Sequence, residues 1–230
     1  MPSAVRILST LAVQGALPAL IARYEQSAGT SIEIDFAPTN GLLARIAAGE
    51  AADIAILTRA AVDDLAAEGV LIPHSVADVA VSLVGIAVKA GAARPDISSV
   101  EALKVALLQA RSIAYSKIGA SGVFFAELIQ RLGIVNEVNA KAKVIPSGFT
   151  AELAARGEVE LALQQVSELM LVPGIDVVGP LPPGAESVTM FSAGVFAASN
   201  QAEAALELIA YLRSSDAAQA LSAAGLQPAA

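Results

Sequence analysis

The order of hydrophobic and polar residues follows two different periods along most of the chain. In Ser31–Phe36 (SIEIDF) apolar and polar residues alternate, which is typical of a half-buried β-strand. Elsewhere apolar residues recur three and four positions apart, as Leu17, Leu20 and Ile21 do, and this spacing predicts an amphipathic helix. Segments of the two kinds follow one another from one end of the chain to the other.

The predicted strands are Val5–Leu8, Ser31–Phe36, Asp53–Leu57, Val79–Lys89, Ser112–Tyr115, Lys143–Ile145, Glu160–Gln165, Asp176–Val178 and Ser187–Ala198. The predicted helices are Val13–Ser27, Gly41–Ala48, Ala60–Glu68, Ser98–Gln109, Ser121–Leu132, Phe149–Arg156, Gln201–Arg213 and Asp216–Ala224. Repeated strand–helix units of this length imply mostly parallel sheets covered by helices on both faces. The sequence therefore predicts an α/β fold.

Two long β segments, near 79–89 and 187–198, bracket a middle block of the chain. We interpret them as paired hinge crossings between two lobes, with residues 1–80 plus 190–230 in lobe 1 and 81–189 in lobe 2. Ligands of open α/β sheets bind beyond the carboxyl ends of the strands. This organisation predicts a ligand cleft between the lobes that closes by hinge motion.

The amino-acid composition excludes several classes of protein and of binding site. Hydrophobic residues make up 55% of the 230 residues and charged residues 16%, which excludes a disordered chain. The net charge of −8 argues against a nucleic-acid partner. The chain has no cysteine and one histidine, His74, and it lacks the glycine-rich nucleotide-binding motifs. We therefore expect neither a metal nor a cofactor.

The N-terminus, MPSAVRILSTLAVQGALPALIARYEQ, combines Arg6 with an apolar run, as secretory signals do. Ser9, Thr10 and Gln14 interrupt that run, which favours a strand followed by a helix. No stretch reaches the roughly 18 apolar residues that a transmembrane helix needs. We expect a cytoplasmic protein as the sequence is written, or a periplasmic one if a leader has been removed.

Four stretches, in order, resemble the type II periplasmic substrate-binding proteins and, within them, the molybdate-binding branch. They are ILSTLAVQGALPALIARYEQSAG, FAPTNGLLARIAAGEAADIAILT, IAYSKIGASGVFFAELIQRLGI and ARGEVELALQQVSEL. The resemblance implies a two-lobed fold, a small anionic ligand and, for an exported protein, an ABC permease as partner. The pattern YSKxGASG with QQVSEL is similar to a subgroup whose neighbourhood includes aconitate isomerases, which are enzymes on the same scaffold.

The resemblance also implies positions for the ligand-binding residues. The first oxyanion-binding serine of the family falls on Ala12, with Ser9 or Thr10 as substitutes, and its serine pair falls on Thr39 and Asn40. The family's Pro-Ala-Gly corresponds to Ala120, Ser121 and Gly122, and its late tyrosine to Gln165. Half of the expected hydroxyl donors are therefore changed, which favours a ligand other than molybdate.

Two of these positions also attract anions on physical grounds. Ser121–Gly122 and Thr39–Asn40 lie where predicted helices begin, and free N–H groups with the helix dipole favour negative charge there. Ordinary helix capping is the alternative at both positions.

Charged and polar residues at other predicted strand ends are further candidates. Thr58 and Arg59 follow a strand, and Arg59 or Lys117 could supply a cation; the alternative for both is a solvated surface group. Gln164, Gln165, Ser167 and Glu168 form an unusual polar cluster after a predicted buried strand.

Two functional hypotheses follow. The first is a binding protein that clasps a small anion, most simply a di- or tricarboxylate, between its lobes. The second is a cofactor-free isomerase of an unsaturated di- or tricarboxylic acid, with Glu168 or Lys117 as the catalytic base and His74 as a weaker candidate. An intracellular anion sensor is a third alternative.

Overall fold

A computed structural model of the protein describes residues 4–229. Its strands are β1 Val5–Thr10, β2 Ile32–Ala37, β3 Ile54–Thr58, β4 Ala77–Lys89, β5 Ile113–Ser116, β6 Ala142–Ile145, β7 Leu161–Gln165, β8 Ile175–Pro180, β9 Val188–Val195 and β10 Gln227–Pro228. Its α-helices are α1 Leu17–Ala28, α2 Thr39–Ala47, α3 Arg59–Ala67, α4 Val100–Gln109, α5 Ala120–Arg131, α6 Val135–Asn139, α7 Thr150–Ala155, α8 Val166–Leu169, α9 Ala202–Leu212 and α10 Ser215–Ala223. The predicted α/β class is confirmed.

The prediction was wrong in a few short segments. The first helix begins at Leu17 rather than Val13, because Leu11–Val13 forms a 3-10 turn and Pro18 occupies the first turn of α1. The short elements α6, α8 and β10 were missed, since elements of five, four and two residues are too short to show a period.

The described residues form two compact units. Unit 1 comprises the residues up to Ser82 together with those from Thr189 onward, and unit 2 is Leu83–Val188. Unit 2 is thus one uninterrupted stretch of chain, whereas unit 1 is assembled from two.

Unit 1 contains a sheet in the order β2-β1-β3-β9. β1 runs parallel to β2 and β3, and β9 runs antiparallel to β3. Neighbouring residues of β1 serve opposite faces: Ile7 packs in one apolar cluster with helices α1, α9 and α10, and Leu8 packs in another with α2 and α3. Both faces of this sheet are therefore covered by helices, as its apolar strands require.

Unit 2 repeats this plan. β5 runs parallel to β6 and β7, while the second half of β4 runs antiparallel to β7 and β8. One face carries large side chains, including Ile86 and Ile113, and is covered by α4 and α5. The other face carries Ala87, Ala114 and Ala162, so the alanine-rich helix α7 can pack closely on it.

Among residues 4–229, no helix combines the length and the apolar character that crossing a bilayer demands.

In each unit, the parallel strands bring several chain segments to one sheet edge. The carboxyl ends of β1, β2 and β3 at Thr10, Ala37 and Thr58 form what we call the first edge. The ends of β5, β6 and β7 at Ser116, Ile145 and Gln165 form the second edge. A polar ligand of an α/β sheet is expected at such edges.

Candidate functional site

The first edge begins with two buried hydroxyl residues at the end of β1. Ser9 is fully buried and lies opposite Phe36 of β2 and Ile56 of β3, and its hydroxyl donates to the Thr10 carbonyl at 3.2 Å. Thr10 is also buried and directly precedes the 3-10 turn Leu11–Val13. Both residues therefore lie at the carboxyl end of β1, and the ligand contact that the family resemblance implies for one of them remains a prediction.

Thr39 at the start of α2 is the most informative residue of this edge. It is the first residue of the helix, so Pro38 and not Thr39 holds the cap position. The Thr39 hydroxyl is buried and finds no hydrogen-bond partner among the described residues. Burying a hydroxyl in this way costs about 1–3 kcal/mol, which a ligand's oxygen would offset. Asn40 beside it is exposed.

The Arg59 side chain, by contrast, already binds two carboxylates of the protein. Its Nε donates to both carboxylate oxygens of Asp63 at 2.8 and 2.9 Å, and its Nη1 donates to Asp78 at 2.9 Å. Hydrogen bonds to Asp78 and Asp63 raise the pKa of the guanidinium above its ordinary value. An anion would have to compete with two carboxylates for this side chain. For that reason we leave Arg59 out of the proposed site, and Thr58 before it remains a prediction.

The second edge contains a buried serine that sequence reasoning missed. Ser116 ends β5 and is 3% exposed, and its hydroxyl has no hydrogen-bond partner in the described part of the chain. Two glycines pack against it: a Cβ at Gly119 would lie 2.6 Å from the Ser116 Oγ, and one at Gly122 would lie 1.7 Å from the Ser116 carbonyl oxygen. The glycines of the GASG loop are therefore required for α5 to start directly over the strand end.

Ser121 and Gly122 are both buried in the first turn of α5. Gly119 holds the cap position of this helix and makes no side-chain bond, so Ser121 does not act as the N-cap. The capping alternative is thus wrong for Ser121 as it is for Thr39. What remains at this helix start is a pair of serine hydroxyls, from Ser116 and Ser121, beside the positive end of a 12-residue helix.

Lys117 supplies the free cation of this edge. Its backbone N–H donates to the Ile145 carbonyl at 2.8 Å, which fixes the loop, and its side chain is exposed. Within residues 4–229, no carboxylate lies at ion-pair distance from the Lys117 ammonium group. Lys117 also borders a groove of about 670 Å³ that runs along α5 past Gly122.

The two glutamines at the end of β7 have different surroundings. Gln164 is buried, and its amide binds the start of α7: Oε1 accepts from the Thr150 N–H at 2.8 Å and from the Thr150 hydroxyl at 3.0 Å, and Nε2 donates to the Gly148 carbonyl at 3.0 Å. Gln165 is the cap residue of α8 and, one position further along the strand, faces the opposite side of the sheet. Gln164 therefore has a structural task, and Gln165 is the glutamine we retain for the ligand.

Glu168 in α8 is the one acidic residue among the buried polar side chains of the described chain. Burial raises the pKa of its carboxyl group to about 7, while hydrogen bonds from the Gln164 side chain and the Gln165 backbone act in the opposite direction. Near neutral pH this group can therefore both take and give a proton. His74, the other candidate base, is exposed in the turn Pro73–Ser75.

Within the described residues, no group of three histidine, aspartate or glutamate side chains is placed to hold a metal ion. Apart from the Glu168 carboxyl group and the ion-paired Arg59, the polar groups of the two edges are hydroxyls, amides, helix N–H groups and one ammonium group. These are donors, so they suit an anionic ligand.

The chain is similar to known proteins over nearly its whole length. Residues 5–227 match the family model for bacterial extracellular solute-binding proteins. An aconitate isomerase from a Pseudomonas species is 37% identical over 228 residues, which cover 96% of this chain and 87% of the enzyme. The periplasmic molybdate-binding protein of Azotobacter vinelandii superposes with a TM-score of 0.80 at 16% identity, covering 96% of this chain and 98% of that one. The sulfate-binding protein SubI of Mycobacterium tuberculosis gives a TM-score of 0.77 at 14% identity, covering 98% of this chain and 87% of that one.

Proposed function

The chain belongs to the family of bacterial extracellular solute-binding proteins, and from this premise we propose that it binds a small organic anion of the di- or tricarboxylate class. The family resemblance seen in the sequence is thereby confirmed. As ligand-binding residues we propose, at the first edge, Ser9, Thr10, Thr39 and Asn40 and, at the second edge, Ser116, Lys117, Ser121, Gly122 and Gln165.

The observation that carries this proposal is a buried hydroxyl in each unit that has no hydrogen-bond partner among residues 4–229 and lies near a helix start. Thr39 provides it in unit 1 and Ser116 in unit 2. Each lies beside helix N–H groups that favour negative charge, and Lys117 adds an unpaired cation. A carboxylate oxygen accepts hydrogen bonds from all three kinds of donor.

Thermal unfolding with a panel of oxyanions and carboxylates tests the proposal. We expect at least one di- or tricarboxylate to raise the melting temperature, because a ligand that binds only the folded state stabilises it. The variants Thr39→Val and Ser116→Ala, one in each unit, should then each weaken binding about tenfold or more. Thr150→Val is the matched control, since its hydroxyl already bonds to Gln164 and Leu163. The proposal fails if no anion shifts the melting temperature, or if neither variant weakens binding more than Thr150→Val does.

As a carrier, the protein would act outside the cytoplasmic membrane, where an ABC permease would receive the ligand. This compartment agrees with the extracellular family and with the periplasmic relative from Azotobacter.

A second candidate function is favoured by a specific observation, the buried Glu168 with its raised pKa. We propose, as the alternative, that the protein is an isomerase of an unsaturated tricarboxylic acid. The aconitate isomerase at 37% identity supports it, since that likeness extends over almost the whole chain.

The chemistry requires one base and a means of stabilising negative charge. The Glu168 carboxylate would take a proton from a methylene group that lies between a carboxylate and a carbon–carbon double bond. The electron pair left on carbon would spread over the double bond and the carboxylate, where Lys117 and the helix N–H groups stabilise it. The same carboxyl group would return the proton to the far carbon, so the double bond moves and nothing is oxidised or reduced.

Proton NMR of cis- and trans-aconitate in D2O separates the two functions. Interconversion with deuterium uptake, lost in Glu168→Gln, would identify an enzyme. Glu160→Gln is the matched control, because this carboxylate lies at the start of unit 2's strand β7 and bonds to Arg111. Tight binding of a ligand that stays unchanged would identify a carrier.

A further inference from the structure

Unit 2 contains another cavity, at the end of its sheet opposite to the second edge. Its volume is about 540 Å³, and every residue that lines it belongs to unit 2. Small-molecule sites occupy roughly 300–1,000 Å³. β7 begins in this cavity at Leu161 and ends at the second edge at Gln165, so about 13 Å of strand separates the two places. We call it the strand-start cavity.

The inner wall of the strand-start cavity is apolar. It is formed by side chains from β4, α4 and the start of β7 that are at most 9% exposed, namely Val88, Ala106, Ala110, Val159 and Leu161. The alanines of α4 are too short to fill the space in front of them. An apolar group of a ligand would leave water by packing on this wall.

Three basic side chains line the mouth of the same cavity. Arg111 is paired, since its Nε and its backbone N–H both donate to Glu160. Arg94 lies 3.7 Å from the Asp176 carboxylate. Lys89, the last residue of β4, makes no ion pair with any residue that the structure describes. Three cations thus face two carboxylates, and Lys89 is the cation that a ligand could bind.

The Lys89 ammonium group lies at the mouth, against the backbone of Gly157. A Cβ at Gly157 would be 3.5 Å from the Lys89 Nζ, and both residues line the cavity. The carboxyl end of α4 is also nearby, and its free carbonyls oppose an anion. Lys141 offsets part of this effect, because its Nζ donates to the Leu108 carbonyl at 2.6 Å.

We propose that the strand-start cavity is a second binding site, for a small anion with an apolar body, such as a medium-chain aliphatic or an aromatic carboxylate. The anionic group would pair with the Lys89 ammonium at the mouth, and the apolar body would pack on Val88, Ala106 and Leu161. The donors of the two edges suit a compact, multiply charged anion instead. This inference goes beyond the function proposed above and does not depend on it.

The dye 8-anilinonaphthalene-1-sulfonate is a suitable probe, because it joins an aromatic body to one sulfonate and fluoresces when that body leaves water. We expect it to bind the folded protein, and Lys89→Glu to weaken its binding about tenfold, since an attractive contact becomes a repulsive one. Lys104→Glu is the matched control: it makes the same change of charge on α4, but Lys104 does not line the cavity. Equal dissociation constants for the two variants would overturn the inference.

Competition against the dye tests the chemical class of the ligand. Octanoate has both a charge and an apolar chain, so it should displace the dye. Acetate has the charge alone and 1-octanol the chain alone, so each should need a concentration about tenfold higher or more. Displacement by 1-octanol at the same concentration as by octanoate would contradict the proposed role of Lys89.

Proton–nitrogen NMR of the unsubstituted protein locates the ligand without any variant. Octanoate should shift the amide resonances of Ala92 and Gly157, which line the cavity, and leave those of Ser116 and Ser121 in place. Shifts confined to the second edge would overturn the inference.

The edge variants separate this site from the one proposed above. Thr39→Val and Ser116→Ala should bind the dye as tightly as the unsubstituted protein does, whether or not they bind a tricarboxylate. A loss of dye binding in either variant would place the dye at the edges and contradict a second site.

Discussion

At the scale of single residues, the buried Glu168 should lower the free energy of unfolding as the pH rises. The pKa of this carboxyl group is about 7 in the folded protein, against an ordinary value of 4.5. The folded state therefore holds the proton to higher pH than the unfolded chain does. Below about pH 4.5 the carboxyl group is neutral in both states and its ionisation does not change the free energy of unfolding. The cost of burying the charged form grows as pH rises and is complete above about pH 7.

Glu168→Gln should consequently stabilise the protein at alkaline pH. We expect a gain of about 3 kcal/mol in the free energy of unfolding at pH 8.5, shrinking towards zero near pH 4.5. Urea unfolding of both proteins across this range measures it. A gain that is the same at every pH would show that the pKa of Glu168 is not raised by folding.

Removal of the Ser116 hydroxyl should weaken ligand binding without lowering the stability of the fold. Because its buried hydroxyl has no protein partner, Ser116→Ala should leave the free energy of unfolding unchanged or raise it by about 1 kcal/mol. Thr150→Val should lower it by about 1 kcal/mol, since that hydroxyl is bonded. Chemical denaturation of the two variants without ligand compares them, and a clear loss in Ser116→Ala would mean that its hydroxyl is satisfied within the protein.

At the scale of elements, the start of α5 depends on a glycine in a way that the start of α2 does not. A Cβ at Gly122 would lie 1.7 Å from the Ser116 carbonyl oxygen, so Gly122→Ala must displace the helix from the end of β5. At Gly41 the nearest atom, Pro38 Cδ, would be 3.9 Å away. We expect Gly122→Ala to destabilise the protein by about 3 kcal/mol or more, and Gly41→Ala to stabilise it by about 0.5–1 kcal/mol through helix propensity.

Thermal melts of this alanine pair, with circular dichroism at equal concentrations, provide the measurement. Equal effects at the two glycines would mean that α5 can shift without cost.

The sequence predicted these elements better than it predicted the side chains at their ends. Strand and helix periods located every strand of four residues or more, because burial on a sheet face determines the pattern. The predicted end of β5 at Tyr115 was one residue short, and Ser116 was therefore overlooked. The ion pair of Arg59 with Asp63 has the local helical spacing of four positions, whereas its pair with Asp78, 19 positions away, leaves no local signal. Gln164 and Gln165 have different tasks because neighbouring residues of a strand face opposite sides of the sheet. The sequence does not reveal which of the two sides the start of α7 occupies.

At the scale of the whole molecule, net charge opposes the approach of the proposed ligand. The formal charge of −8 repels a tricarboxylate at long range. Salt weakens this repulsion by screening the charges. We expect the association rate constant to rise severalfold between about 10 mM and 200 mM sodium chloride, while the dissociation rate constant changes less. Stopped-flow measurements with the carboxylate that gives the largest thermal shift test this, and a rate that falls with salt would mean that Lys117 and its surroundings dominate the field.

The division of the chain into a continuous unit and a divided one bears on biosynthesis. On the ribosome, Leu83–Val188 emerges as an unbroken stretch and can complete its fold while the other unit still waits for β9 to join β3 and for α9 and α10 to cover that sheet. We therefore expect the usual order, in which the N-terminal part of a nascent polypeptide folds first, to be reversed here. Until the last forty residues or so are translated, one apolar face of β1 and β3 is covered by α1 alone. We expect the need for chaperones to be greatest in this interval.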